Sequence, residues 1–272
     1  MANCGSWPIG VCSWSLGNDV NVVWDSMCKM NINHVHLAIG PALEENGSAY
    51  FDNVRQKNWI INSTMIGFAQ EDYSTLDSIK VTGGIVPDDC WERNRQLFTG
   101  AVEKTHALGV KYLSMHAGFI DESDSISFRK FTDRIRCLAD AAADKEITLL
   151  LETGQEDAQE LSDFLCHLDH SAVAVNFDPA NMILYDKNDP VTAVGILGRW
   201  IRQVHIKDAL RTDKPGTWGS EVPWSQGQVG NENFLQSLKE IGFEGVLAIE
   251  REAGDTRFED IKSAVDILTQ FD

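Results

Sequence analysis

The sequence predicts an α/β protein whose eight parallel strands close into a (β/α)8 barrel, and two observations carry that prediction. Four apolar runs in the second half each end on a group able to bind a cation: Thr148-Leu-Leu-Leu-Glu152, Val173-Ala-Val-Asn-Phe-Asp178, Ile201-Arg-Gln-Val-His205 and Val246-Leu-Ala-Ile-Glu250. Short continuous runs of this kind read as buried parallel strands. Their ends fall 26, 27 and 45 residues apart, close to the roughly 30-residue length of a strand-helix-strand unit, with an inserted loop in the last interval.

The first half keeps the same rhythm. Strands are expected over Ile9–Leu16, His34–Ile39, Trp59–Phe68 and Tyr112–Phe119, which with the four runs makes eight. Helical patterns fill the gaps over Val20–Met30, Ala49–Lys57, Asp88–Leu108, Ser127–Lys145, Ala158–Leu168, Pro190–Leu197, Asn231–Ile241 and Phe258–Gln270. Pro87-Asp88 and Asp189-Pro190 open two of them, and Leu108-Gly109 and Ile241-Gly242 close two others. Gly83-Gly84 falls in the loop after the third strand. The stretch from Asp208 to Gly230 reads as a long Gly-rich loop, of the kind that covers substrate at a barrel mouth.

Composition narrows the function. A barrel of this kind needs about 250 residues, so the 272 residues form one domain, 1–272. The hydrophobic content of 43% supplies a large core, and no apolar run approaches the length of a membrane span. The amino terminus lacks the basic and apolar segments of a secretory signal, so a cytoplasmic protein is expected. Six cysteines (Cys4, Cys12, Cys28, Cys90, Cys137, Cys166) stand without a CxxC pair; Cys12, Cys28 and Cys137 sit in apolar patterns, and free thiols are expected. A net charge of −18 repels phosphate backbones, which excludes nucleic acid and anionic membranes as natural partners. No GxGxxG follows the first strand, and neither GxSxG nor GxxxxGK[ST] occurs.

Residues at the carboxyl ends of barrel strands converge on one mouth. Glu152, Asp178, His205 and Glu250 are therefore expected to share a divalent ion. Each alone has a plainer reading: Asp178-Pro179 as a strand-ending turn, His205 as a hydrogen-bonded imidazole, either Glu as a partner of a lysine. One such group at each of four successive strand ends favours the shared site. Hard oxygen donors with one nitrogen suit Mn2+, Mg2+ or Co2+, with Zn2+ also accommodated.

The segments Leu151-Glu-Thr-Gly154, Asn176-Phe-Asp-Pro-Ala-Asn181, Val204-His-Ile-Lys-Asp208 and Ile249-Glu-Arg-Glu252 resemble those of the xylose isomerase-like barrels, the sugar phosphate isomerases and epimerases that include the ketose 3-epimerases. The resemblance covers nearly the whole chain. It implies that Glu152, Asp178, His205 and Glu250 bind one ion, commonly manganese, and that Glu152 and Glu250 move the proton of a sugar substrate through a cis-enediolate. It also implies an Arg211 that holds substrate oxygens, although a solvated loop charge is the alternative. His116 is either a substrate hydrogen-bonder or a satisfied barrel-end histidine. Asn181 departs from the 3-epimerases, which carry a histidine three residues after the ligand aspartate. Lys207 and Asp208 are expected to pair with each other or with backbone, in a segment that lines the site in this family. Trp14 and Trp218 either stack on a sugar face or pack at the barrel end.

A metal-dependent sugar isomerase or epimerase is thus the leading expectation. A lyase or dehydratase acting on an inosose or 3-keto-glycoside uses the same enolate, and a non-catalytic carbohydrate-binding barrel stands third. A phosphorylated substrate has weak support, because the charges near Gly216, Gly219, Gly227 and Gly230 are mixed. Related barrel endonucleases carry more histidines and a basic surface, neither of which this chain has. Related barrels also form dimers or tetramers through outer helices, which leaves a homo-oligomer open.

Overall fold

A computed structural model describes residues 1–271. Eight strands form the barrel: β1 (Trp7–Cys12), β2 (His34–Ala38), β3 (Ile60–Met65), β4 (Tyr112–Met115), β5 (Thr148–Glu152), β6 (Val173–Phe177), β7 (Ile201–Ile206) and β8 (Leu247–Ile249). All neighbours pair in parallel, and β8 returns to β1 with Leu247 opposite Ile9, which closes the ring. Closure leaves no barrel edge open to pair with another chain. A two-residue strand, Asn3–Cys4, pairs antiparallel with the start of β1.

Eight helices surround the ring: α1 (Val20–Lys29), α2 (Gly47–Arg55), α3 (Trp91–Ala107), α4 (Ser125–Ala143), α5 (Ala158–Leu168), α6 (Pro190–Leu197), α7 (Asn231–Glu240) and α8 (Arg257–Leu268). Because helices cover the strands, whole runs such as Leu149-Leu150-Leu151 are buried, which is why these strands do not alternate in sequence. Local chemistry sets the helix starts. Asp157 and Glu160 make a reciprocal capping box on α5, and Asp189 caps α6 ahead of Pro190. Among the described residues no helix is long and apolar enough to cross a membrane.

Several boundaries differ from expectation. The chain leaves β1 at Cys12 and makes a 3-10 turn over Ser13–Leu16 rather than extending the strand. β4 ends at Met115, so His116 to Phe119 belong to the mouth. Asp88 does not open α3, which begins at Trp91; its carboxylate instead joins Lys130 and Arg134 on α4. Two short helices, Leu76–Thr82 and Pro179–Leu184, lie in loops where none was expected. The long segment after β7 is not irregular throughout: Asp208–Leu210 and Ser220–Val222 pair as an antiparallel hairpin. All six cysteines are free, but Cys28 and Cys137 are exposed rather than packed.

Packing between the ring and the helices holds the strand ends that carry the site. Phe234 of α7 stacks on Phe177, the last residue of β6, with centroids 5.9 Å apart and both side chains fully buried. Phe234→Ala should therefore destabilise the fold by about 3–5 kcal/mol. Calorimetry showing an unchanged melting temperature would contradict this packing role.

Candidate metal centre

The four strand-end groups meet. One ligand atom from each of Glu152, Asp178, His205 and Glu250 lies within 4.8 Å of every other, and all four residues are buried. Glu152 is the last residue of β5, while Asp178 and Glu250 directly follow β6 and β8. His205 sits within β7, one residue before its end. Its Nδ1 is 3.6 Å from Glu152 Oε1, 3.6 Å from Asp178 Oδ2 and 3.5 Å from Glu250 Oε2.

The donors present fit a divalent ion. His205 Nδ1 and Asp178 Oδ2 are buried and have no hydrogen-bond partner, an arrangement that is costly unless a cation completes it. Asp178 shows how one residue can serve two ends. Its Oδ1 accepts from Ala180 and Asn181 N–H and caps the helix Pro179–Leu184, which leaves Oδ2 facing His205. The strand-ending turn and the candidate ligand are thus the same aspartate. Three carboxylate oxygens and one imidazole nitrogen make a predominantly hard donor set.

The two glutamates occupy opposite electrostatic environments. Burial pushes the Glu152 carboxyl up, and Glu250 and Asp178 add to that, against His116 and His205. Burial would also raise Glu250, but Lys207 and then His205 outweigh it and hold that carboxyl well below its usual range. Trp14 Nε1 donates to Glu250 Oε1 at 2.6 Å, and Lys207 Nζ to Oε2 at 2.7 Å. Asn176 and Asn181 donate to Glu152 at 3.0 and 3.2 Å, while His116 Nε2 stands 3.5 Å away. Burial would lower His205, but the Glu152 and Glu250 carboxyl groups raise it well above its ordinary value.

A cavity of about 740 Å³ opens above this cluster. Its walls include Trp14, His116, Asn181, Lys207 and Trp218, five residues singled out in the sequence. Arg211 is not among the lining residues; it pairs with Asp186 and donates to Asn188 O, so the structure places it in the loops beside the mouth. Lys207 does not pair with Asp208. It binds Glu250 and Glu252, whereas Asp208 accepts backbone N–H groups of Ala209, Ser225, Gly227 and Val229 and so ties down the long loop. Gly227 is needed there, since a Cβ would stand 2.2 Å from Asp208 Oδ1.

Other lining groups were not singled out as site residues by the sequence. Glu71, Tyr73, Tyr185 and Glu252 come from loops and turns, and Glu221 from the hairpin after β7. His36 Nδ1 lies 3.0 Å and Cys12 Sγ 3.6 Å from His205 Nε2, because β1 and β2 lie two and three places from β7 around the ring and both side chains are buried inside it. Cys12, His36 and His205 form a second tight group. Burial pushes the Cys12 thiol up to about 12, so it stays protonated at neutral pH.

The model of the xylose isomerase-like TIM barrel family matches residues 64–271. The chain belongs to that family. No curated protein matches the sequence. Among solved structures, the xylose isomerase domain protein of Planctomyces limnophilus is 29% identical over 97% of this chain and 96% of that one, with a TM-score of 0.87. The probable 3-DHS dehydratase AsbF of Bacillus anthracis is 16% identical over 96% of this chain and 98% of that one, at a TM-score of 0.73. A D-allulose 3-epimerase from Methylomonas sp., crystallised with D-allulose, is 15% identical over 100% of this chain and 98% of that one, also at 0.73. These last two share the fold.

One buried acid in the loop after β5 of this xylose isomerase-like barrel gives a pH test. Burial raises the Glu156 carboxyl to about 8. The unfolded chain therefore releases this proton near its ordinary value, about 4.3, while the folded chain keeps it. Between these two values the unfolded state binds fewer protons, so this residue makes stability fall as pH rises, by at most about 1.4 kcal/mol per pH unit. Glu156→Gln should match the wild type near the lower value and exceed it increasingly towards pH 8. Denaturant titrations showing equal pH slopes for the two proteins would contradict the assignment.

Proposed function

We propose that the protein is a divalent-metal-dependent sugar epimerase or isomerase that moves a proton beside a carbonyl through a cis-enediolate. The observation that carries this reading is the pair of buried carboxylates, Glu152 and Glu250, in one tight cluster next to the cavity that Glu250 lines, with their proton affinities driven apart. Divergent pairs of this kind divide acid and base roles. Membership of the xylose isomerase-like family supports the reaction class, and the epimerase likeness supports a sugar substrate.

Glu152, Asp178, His205 and Glu250 would hold the ion, with Mn2+ the leading choice and Mg2+, Co2+ and Zn2+ behind it. Bound there, it would supply Lewis acidity to the substrate oxygens. Glu152, whose environment favours the protonated form, would deliver a proton to one face of the enediolate. Glu250, held ionised beside Lys207, would take the substrate proton at the other face. Trp14 and Lys207 fix its two oxygens, so it is oriented before substrate arrives. Asn181 orients Glu152 through Oε1, occupying the place of the histidine found in the 3-epimerases.

The walls favour an uncharged substrate. Among the described residues lining the cavity the one Lys or Arg is Lys207, and two carboxylates already hold it. A phosphate would therefore meet Glu71, Glu221 and Glu252 without a free cation. Trp14, Tyr73, Tyr185 and Trp218 offer rings on which a sugar face can stack.

Incubation in D2O with Mn2+ and a panel of ketoses, inososes and 3-keto-sugars tests the chemistry. Unphosphorylated substrates should take up deuterium next to the carbonyl with no change in mass beyond the label; loss of water or of an aglycone would assign a lyase instead. Glu152→Gln and Glu250→Gln should each lower exchange by about 10²-fold or more. Undiminished exchange in both variants would exclude the pair.

A further inference from the structure

Inside the barrel, next to the four candidate ligands, runs a line of polar side chains for which the proposed reaction has no task. His205 presents Nδ1 to the three carboxylates, and its other nitrogen, Nε2, lies 3.0 Å from His36 Nδ1. His36 Nε2 in turn lies 2.8 Å from Ser114 Oγ, and Ser114 Oγ donates to Thr64 O at 3.1 Å. The four residues come from β7, β2, β4 and β3, and none is exposed.

The direction of the hydrogens follows from its far end. A carbonyl oxygen only accepts, so the Ser114 hydroxyl hydrogen points to Thr64 O. Ser114 Oγ is then an acceptor for His36, and His36 Nε2 is the N–H donor. The fully buried ring has His205, Ser114 and Gln203 as its hydrogen-bond partners and no carboxylate, so it is neutral and carries that one hydrogen. Its Nδ1 is a bare lone pair.

Two ring nitrogens at 3.0 Å need a single hydrogen between them, since two lone pairs or two N–H groups would repel. That hydrogen belongs to His205 Nε2. Gln203 gives an independent sign of the same polarity. Its oxygen accepts from Asn62 Nδ2 at 2.7 Å, which turns its NH2 group towards His36 Nδ1, a contact that only a bare acceptor tolerates. The Asn176 NH2 group, 3.1 Å from His205 Nε2, has Glu152 Oε2 at 3.0 Å as its acceptor.

We propose that His36 is a positioning residue which, without touching the cation, dictates the nitrogen through which His205 meets it. By accepting the Nε2 hydrogen it leaves Nδ1, facing Glu152, Asp178 and Glu250, as the His205 nitrogen that a cation can take in place of a proton. Ser114 and Thr64 hold His36 in that role. The role rests on the cation site of the preceding section, and outer partners of this kind are worth about 10- to 100-fold in metal affinity.

Three variants and one spectrum test it. In His36→Phe the His205 N–H loses its acceptor, and Mn2+ affinity measured by titration calorimetry should fall about 10- to 100-fold. In His36→Asn an amide oxygen can stand where Nδ1 was, and affinity should recover most of the loss. Ser114→Ala should fall between the two. Nitrogen-15 spectra of histidine-labelled, metal-free wild-type protein should show His36 with its hydrogen on Nε2 alone, a readout that survives if His36→Phe does not fold. A His36 hydrogen on Nδ1, or wild-type affinity in a folded His36→Phe, overturns the role of His36. A wild-type protein that binds no divalent ion overturns the cation site itself.

Discussion

Three carboxylates and an imidazole forced together in a dry barrel interior are the constraint around which the mouth is built. Like charges at this separation repel strongly once water is excluded, and each buried acid also bears the cost of leaving water. The surroundings answer with every available donor. Lys207 and Trp14 secure Glu250, Asn176 and Asn181 secure Glu152, and the first turn of a short helix secures Asp178. What is left over, Asp178 Oδ2 and His205 Nδ1, points into the shared space. Compensation of three acids by one lysine and one imidazole is incomplete, a deficit that a divalent cation would fill.

The ring of strands makes this concentration of charge affordable. Parallel strands end together, so four residues distant in sequence arrive at one place without any loop having to position them. Packing such as Phe234 against Phe177 fixes each strand end from outside. From inside, the line from His205 through His36 and Ser114 to Thr64 fixes the imidazole. The loops then add what is specific to this chain: an aromatic cavity with a single, already neutralised lysine.

The barrel and its four convergent groups were legible because both depend on spacing. Apolar runs at the repeat of a strand-helix-strand unit reveal the ring, and a polar residue closing such a run is conspicuous. His36 was not legible, because a histidine in the middle of His34-Val-His-Leu-Ala38 carries no mark of facing inward towards a strand 169 positions away. Of the two partners the sequence offers Lys207 and Asp208, each other or backbone, Asp208 takes backbone and Lys207 neither, because neighbours on an extended chain point to opposite sides, one to the cavity and one to the loop. Arg211 was drawn out of the cavity by Asp186, a partner with no sequence signal. The hairpin after β7 was hidden by its glycines and its very short strands.

The central claim, that a single divalent ion is shared by these four side chains, is tested most directly by crystals grown with Mn2+ and measured for anomalous scattering. One peak per chain is expected, in coordination contact with Glu152, Asp178, Glu250 and the Nδ1 of His205. A peak bound elsewhere, or a well-defined mouth with no peak between these residues, would contradict it.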